Sequence, residues 1–131
     1  MNKTICELFA GVGGFRLGFD RLASNWQTVW FSQWEPGKKV QWAHDCYVQH
    51  FGDSPDVNGE FHTGENISTV EKNNIPDHTL LVGGFPCQDY SVAHTLASSK
   101  GIEGKKGVLW WQIRDTLIAK NPPFCLLENV D

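Results

Sequence analysis

The feature that most constrains the fold is a turn. Thr4 to Phe9 is a short apolar run, and three of the next five residues are glycine: Gly11, Gly13 and Gly14. An apolar stretch of strand length, closed by residues that can turn sharply and followed by the amphipathic run Phe15 to about Ala23, predicts strand, tight turn and helix in succession. The same alternation continues along the chain. Thr28 to Ser32 reads as a second strand. Beyond Pro36, the positions Val40, Ala43, Tyr47, Val48 and Phe51 recur at helical spacing and Gly52 supplies a stop, which predicts a helix of about four turns. Asp53 to Glu65 is polar and rich in Gly, Pro and Asp, so it is read as a loop without regular structure. Thr79 to Val82 is a short strand running into Gly83 and Gly84, and Phe85 to Lys106 looks irregular throughout. Leu109, Ile113 and Leu117 mark a helix closed by Asn121, Pro122 and Pro123, after which Phe124 to Leu127 forms another strand. The class is therefore α/β: a doubly wound sheet of roughly four or five parallel strands, which binds ligands at the carboxyl ends of its strands.

Composition narrows the setting. A chain of 131 residues with 40% hydrophobic content supports one domain, read here as spanning 1–131. No apolar run approaches the roughly 18 residues of a membrane span, and a carboxylate at Glu7 interrupts any signal-type apolar region, so a cytoplasmic protein away from membranes is expected. Cys6, Cys46, Cys87 and Cys125 are widely spaced without a Cys-x-x-Cys pair; they read as reduced thiols, three of them buried. The net charge of −4 argues against a free-standing nonspecific nucleic-acid binder, which gains affinity by neutralising phosphates. Lys100, Lys105 and Lys106 form a basic cluster that could meet a phosphate backbone or simply be solvated.

Four strings carry chemistry. Phe9-Ala10-Gly11-Val12-Gly13-Gly14, between strand and helix, suits a nucleotide-type pocket, where glycine lets backbone amides approach a ligand. A dinucleotide fingerprint would place a third glycine at position 16, where Arg16 stands, and this weakens a nicotinamide reading. Glu35, followed by Pro36 just past the second strand, sits where a carboxylate can accept from both ribose hydroxyls of an adenosine; taken alone, an exposed acid near a helix start is the plainer account. Gly84-Phe85-Pro86-Cys87-Gln88 puts a cysteine in a loop at a strand's carboxyl end, unlike a buried structural thiol. A cysteine-protease reading would need His78 or His94 as partner, and neither has a recognisable context. Glu128-Asn129-Val130 ends the last strand and brings an acid, a candidate proton donor, to the same sheet edge as Cys87. Cys46 and His50 share a helical face at i, i+4 spacing without a second ligand pair, so no metal is expected.

In this order, the four strings resemble the DNA cytosine-C5 methyltransferase family over nearly the whole chain. The resemblance implies a Rossmann-like sheet that binds S-adenosylmethionine and releases S-adenosylhomocysteine, without a metal. By the same resemblance, Phe9, Ala10, Gly11, Gly13 and Gly14 belong to the cofactor loop, with Phe9 against the adenine ring. Glu35 and Pro36 lie at the ribose, Asn66 and Ile67 at the adenine edge, and Leu109 near the methionine part. Asn66 replaces the aspartate common at its position, and its amide oxygen could still accept from the adenine amino group. Cys87 is implied as nucleophile and Glu128 as its acidic partner, with Pro86, Gln88, Asn129 and Val130 at the target base. The implied substrate is double-stranded DNA, as in restriction-modification systems. Complete members continue past the Glu-Asn-Val string into a target-recognition domain and a returning C-terminal helix. The chain is thus expected to be a truncated catalytic domain, inactive alone, that needs a complementing chain or self-associates through uncovered apolar surface. The competing readings are a cofactor-binding module or split subunit without catalysis of its own, and a nicotinamide-dependent enzyme.

Overall fold

A computed structural model describes residues 1–84 and 109–129. Strand β1 spans Thr4–Leu8 and leads through the glycine turn into helix α1, Gly14–Asp20. Strand β2 is Gln27–Ser32, helix α2 Trp42–Phe51, strand β3 Leu80–Gly83, helix α3 Leu109–Lys120 and strand β4 Phe124–Leu127. The four strands form one sheet in the order β2-β1-β3-β4, every pairing parallel. The chain therefore leaves β1 toward β2, then returns across β1 to build β3 and β4 on the opposite side. That reversal puts a topological switch point between β1 and β3, the place where open α/β sheets leave a crevice for ligands.

Side-chain alternation along the strands explains the layering. Cys6 and Leu8 of β1, Trp30 of β2 and Leu81 of β3 pack with Ile67, Val70, Ile75 and Ile113 of α3. Ile5, Leu80 and Val82 face the other way, against Phe15 and Phe19 of α1 and Trp26. Phe31 joins this second face and packs with Ala10 and with Tyr47 of α2. A sheet buried on both faces by helices is the doubly wound arrangement expected for parallel strands. Edge strand β4 is less covered: Phe124 and Leu126 are about half exposed, at 52% and 47%. Cys125, expected to be a buried thiol, is exposed on the same strand, whereas Cys6 is buried in the core and burial pushes its thiol well above its ordinary range. Among the described residues, no helix is long and apolar enough to cross a membrane.

Element boundaries shift where side chains compete with the helix. Val40 lies outside α2, which is shorter than its apolar spacing suggests. The reason is Gln41, whose amide accepts from the Glu35 N–H at 2.7 Å and donates to the carbonyls of Glu35 and Lys38 at 2.9 Å each, clamping the residues before the helix into a loop. Helix α1 ends at Asp20, three residues before the expected Ala23. The loop after α2 closes with two single turns of 3-10 helix, Ile67–Thr69 and Lys72–Asn74, on which α3 packs.

Candidate functional site

The glycine turn is shaped by one hydrogen bond of its own and two to the end of β2 and the residue after it. Phe9 adopts the left-handed conformation at φ 53°, and Gly11 and Gly13 follow it there at 59° and 96°. The Ala10 amide donates to the Ser32 carbonyl at 3.0 Å, the Gly13 amide to the Ala10 carbonyl at 3.0 Å, and the Gly11 amide to Gln33 Oε1 at 2.8 Å. Three amides of the turn are thus spent on shaping it. Gln33 in turn ties the turn to the loop carrying Glu35, a link that sequence pattern does not signal because glutamine there reads as an ordinary loop residue.

At the carboxyl ends of β1, β3 and β4 lies an open cleft of about 520 Å³, lined by Phe9, Ala10, Gly14, Gly84 and Glu128 at its rim, by Phe15 and Phe19 along α1 and by Leu22 just past it. Its volume falls in the range of ligand sites, and the polar group converging on its mouth is the Glu128 carboxylate. Glu128 is held there by its own amide, which donates to the Gly83 carbonyl at 2.9 Å. Gly84 lies close beside it: a Cβ at Gly84 would stand 3.0 Å from Glu128 Oε2, so the carboxylate would have to shift by a few tenths of an ångström to admit one. The rim therefore joins the segment after β1, the end of β3 that leads toward Cys87, and the acid after β4.

Of the residues singled out from sequence, Phe9, Ala10, Gly14 and Glu128 meet at this cleft. Gly13 faces a neighbouring apolar cavity with Val12, Leu17, Cys46, His50 and Phe51. Glu35 is half-buried and its carboxylate makes no hydrogen bond to another described residue, while Pro36 beside it is exposed. Asn66 Oδ1 accepts from the Ser68 amide at 3.1 Å, capping the first 3-10 turn, so one lone pair of the oxygen proposed for an adenine amino group is already used. Ile67 is 4% exposed with its side chain in the core, and its carbonyl already accepts from Lys72 Nζ at 2.6 Å and from the Val70 amide at 3.2 Å, so its amide is the group left for a ligand. Leu109 is the first residue of α3 and Asn129 follows Glu128 at the surface. Pro86, Cys87, Gln88 and Val130 lie outside the described residues, as do His94, Lys100, Lys105 and Lys106. His78 stands at the amino end of β3, opposite to Gly84, with its Nδ1 at 2.9 Å from the Pro76 carbonyl.

A buried polar network, absent from the sequence reading, supports the turn from below. Tyr47 Oη donates to Glu7 Oε1 at 2.9 Å and accepts from Arg16 Nη1 at 3.4 Å. The Arg16 guanidinium lies over the Phe51 ring at 4.8 Å. Burial outweighs these favourable contacts and pushes the Glu7 carboxyl up to about 7. Arg16, which weakened the dinucleotide reading, thus has a structural task of its own.

Comparison with known proteins agrees with this architecture. Residues 3–131 match the family model of C-5 cytosine-specific DNA methylases. Type II methyltransferase M.Sau3AI of Staphylococcus aureus is 47% identical over the whole chain, which covers 31% of that protein, and type II methyltransferase M.HhaI of Haemophilus parahaemolyticus is 32% identical over 95% of the chain, covering 32%. The chain spans about a third of the length of these curated relatives. Among solved structures, the Entamoeba histolytica methyltransferase EhMeth shares the fold with a TM-score of 0.64 at 22% identity, over 99% of this chain and 38% of that one. A sheet with its switch point at a glycine turn, an acid at the end of β4 and a family match over almost every residue lead to one assignment: the chain belongs to the C-5 cytosine-specific DNA methylase family.

Proposed function

We propose that this chain supplies the cofactor-binding and nucleophile-bearing part of an enzyme that methylates C5 of cytosine in double-stranded DNA. The observation that carries the reading is the shared cleft: the Phe9–Gly14 turn, Gly84 just past β3 and three residues before Cys87, and Glu128 open onto one space at the switch point. The free Glu35 carboxylate, on a loop braced by Gln41 and linked to the turn through Gln33, fits the two hydroxyls of a ribose. S-adenosylmethionine would supply an activated methyl group. Phe9 and Ala10 would line its site, with Gly11, Gly13 and Gly14 shaping the turn, Glu35 and Pro36 at the ribose, Asn66 and Ile67 at the adenine edge, and Leu109 near the methionine part.

Cytosine C5 is a poor nucleophile until C6 carries an added group, and the Cys87 thiolate is the proposed addend. As negative charge develops on the ring, Glu128 would share a proton with N3, while Pro86, Gln88, Asn129 and Val130 hold the base. Once C5 carries the methyl group, a second base would take the C5 proton; the C–H electrons re-form the C5–C6 double bond as the carbon–sulfur bond breaks, returning Cys87 as thiolate and restoring the aromatic ring. The target base has to leave the duplex to reach such a cleft, at a cost of a few kcal/mol in unstacking. Residues 1–131 are proposed as one unit that does not methylate DNA unaided, and the half-exposed Phe124 and Leu126 on β4 favour docking of a complementing chain or a second copy.

Calorimetry with S-adenosylhomocysteine tests the cofactor half. Saturable binding that Glu35→Ala weakens by at least about tenfold is expected, since a ribose-type bidentate contact to a carboxylate is worth about 1.5–3 kcal/mol. Binding indifferent to Glu35→Ala would refute the assigned ribose site. For the catalytic half, a mechanism-based cytosine analogue in DNA should link covalently to Cys87 once complementing segments are added, and attachment at any other residue would reject the assigned nucleophile.

A further inference from the structure

Apart from the cleft, three ligating side chains converge on the loop between α2 and the first 3-10 turn. Asp56 is 7% exposed, and its Oδ1 is fixed by the amides of Asn58 at 2.8 Å and Glu60 at 3.0 Å. Its Oδ2 is buried without a hydrogen-bond partner and stands 3.8 Å from His62 Nε2. Glu60 Oε2 lies 3.2 Å from the same nitrogen. The three ligand atoms fall within 4.8 Å of one another, and Asp56 and His62 line a cavity of about 170 Å³ together with Glu65, Thr69 and Glu71.

We propose that Asp56, Glu60 and His62 bind one divalent transition-metal cation of the zinc class, which fixes the 53–65 loop beneath the cofactor turn. Two donors each about 2.1 Å from a tetrahedral zinc are about 3.4 Å apart, close to the observed 3.2 and 3.8 Å separations around His62 Nε2. Two carboxylate oxygens and one imidazole suit zinc, cobalt or manganese, and the cavity leaves room for water to complete the shell. The other ring nitrogen, Nδ1, is 2.9 Å from Glu65 Oε1, the carboxylate–histidine arrangement that turns a lone pair at Nε2 toward a metal. An imidazolium alone accounts for less. It would satisfy Glu60 and Glu65 but leave the buried Asp56 Oδ2 at 3.8 Å without a partner, and an orphaned buried carboxylate oxygen is costly. The expectation of a metal-free chain rested on Cys46 and His50, which belong to a different cavity.

The loop so fixed reaches the cofactor segment directly. The Thr63 carbonyl accepts from the Gln33 amide at 2.9 Å, Thr63 Oγ1 bonds to Asp53 and to His44, and Gln33 holds Gly11. The cation would therefore act as a structural brace, with no part in methyl transfer, and its failure would leave the cofactor reading untouched.

Titrating the reduced chain with zinc chloride by calorimetry is expected to show one saturable site that raises the melting temperature. Asp56→Asn and His62→Gln should each weaken it at least about tenfold. Glu60→Gln, at a side chain 68% exposed, should weaken it too and guards against a folding defect in the other two variants. Cobalt substituted at the site should give a spectrum without thiolate charge-transfer bands, since no cysteine contributes. Absence of saturable binding, equal binding by the wild type and Glu60→Gln, or thiolate bands in the cobalt spectrum would each overturn the proposal.

Discussion

Replacing Gly13 with alanine is expected to destabilise the fold by about 2–5 kcal/mol, the sum of a left-handed backbone penalty and overpacking. Gly13 sits at φ 96°, where a Cβ is sterically disfavoured. A methyl group added there would lie 2.6 Å from Phe51 Cε2 and 3.1 Å from Tyr47 Cε2. Neither ring can yield easily. Tyr47 stacks on Phe31 with centroids 3.8 Å apart and hydrogen-bonds Glu7, and Phe51 is held between Tyr47 and the Arg16 guanidinium. Gly11 is the internal control: its φ is 59°, but a Cβ there meets nothing within 4 Å, so Gly11→Ala should cost only the backbone part, about 1–2 kcal/mol. Urea unfolding of both variants measures the difference. Equal losses would mean that contact with Phe51 and Tyr47 contributes nothing, and that the glycine is required by conformation alone. In the assembled cofactor site, Gly13→Ala should also weaken S-adenosylhomocysteine, because the Gly13 amide closes the turn on Ala10.

What the sequence made legible and what it hid divide along a physical line. Local periodicity set the order of strands and helices, because alternation on β1 and β3 and helical spacing on α3 are properties of neighbouring residues. Phe124–Leu127 emerged with the bounds read for it, fenced by two prolines. Properties that depend on side chains reaching across the fold were hidden. Val40 continues the helical spacing of Tyr47 and Phe51, yet the Gln41 clamp on Glu35 takes precedence and starts the helix later. Asn66 looked free to accept from a ligand, and its oxygen turned out to cap a single helical turn. His78 lay near Cys87 in sequence but stands at the amino end of β3, the end away from Gly84, since a strand carries its two ends apart. The candidate site was legible at Phe9, Ala10, Gly14, Gly84 and Glu128, whose places at strand ends and in the turn follow from topology; Gln33 and the network beneath the turn were not, since a loop glutamine and a strand acid have too many other uses. Glu7 is the clearest case, an acid that alternation places on a helix-covered face with nothing in its neighbours to announce Tyr47 as partner.

That acid makes stability depend on pH in an uncommon direction. Burial raises the Glu7 carboxyl from an ordinary value of 4.5 to about 7, so over this interval the folded state binds a proton that the unfolded state has released. Stability from this group is therefore fullest at low pH and is lost as pH rises from about 4.5 through about 7, the reverse of a salt-bridged carboxylate. Glu7→Gln imitates the protonated group and cannot ionise, so the difference between wild type and variant isolates Glu7 from the other titrating groups. Between pH 5 and pH 8, urea unfolding should show wild type losing about 2–3 kcal/mol relative to Glu7→Gln. Parallel profiles for the two proteins would show that Glu7 ionises normally and that its buried oxygen is hydrated. The loss should also be local before it is global. Ionised Glu7 keeps the Tyr47 hydroxyl and draws Arg16 inward, yet its Oε2 still has no partner, so the strain falls on the seam where α1 and α2 meet β1. After division by the intrinsic base-catalysed rate, the protection of the Gly13 and Leu17 amides should fall above pH 7 in wild type and stay level in Glu7→Gln, because the same Tyr47 ring that meets Glu7 packs against Gly13.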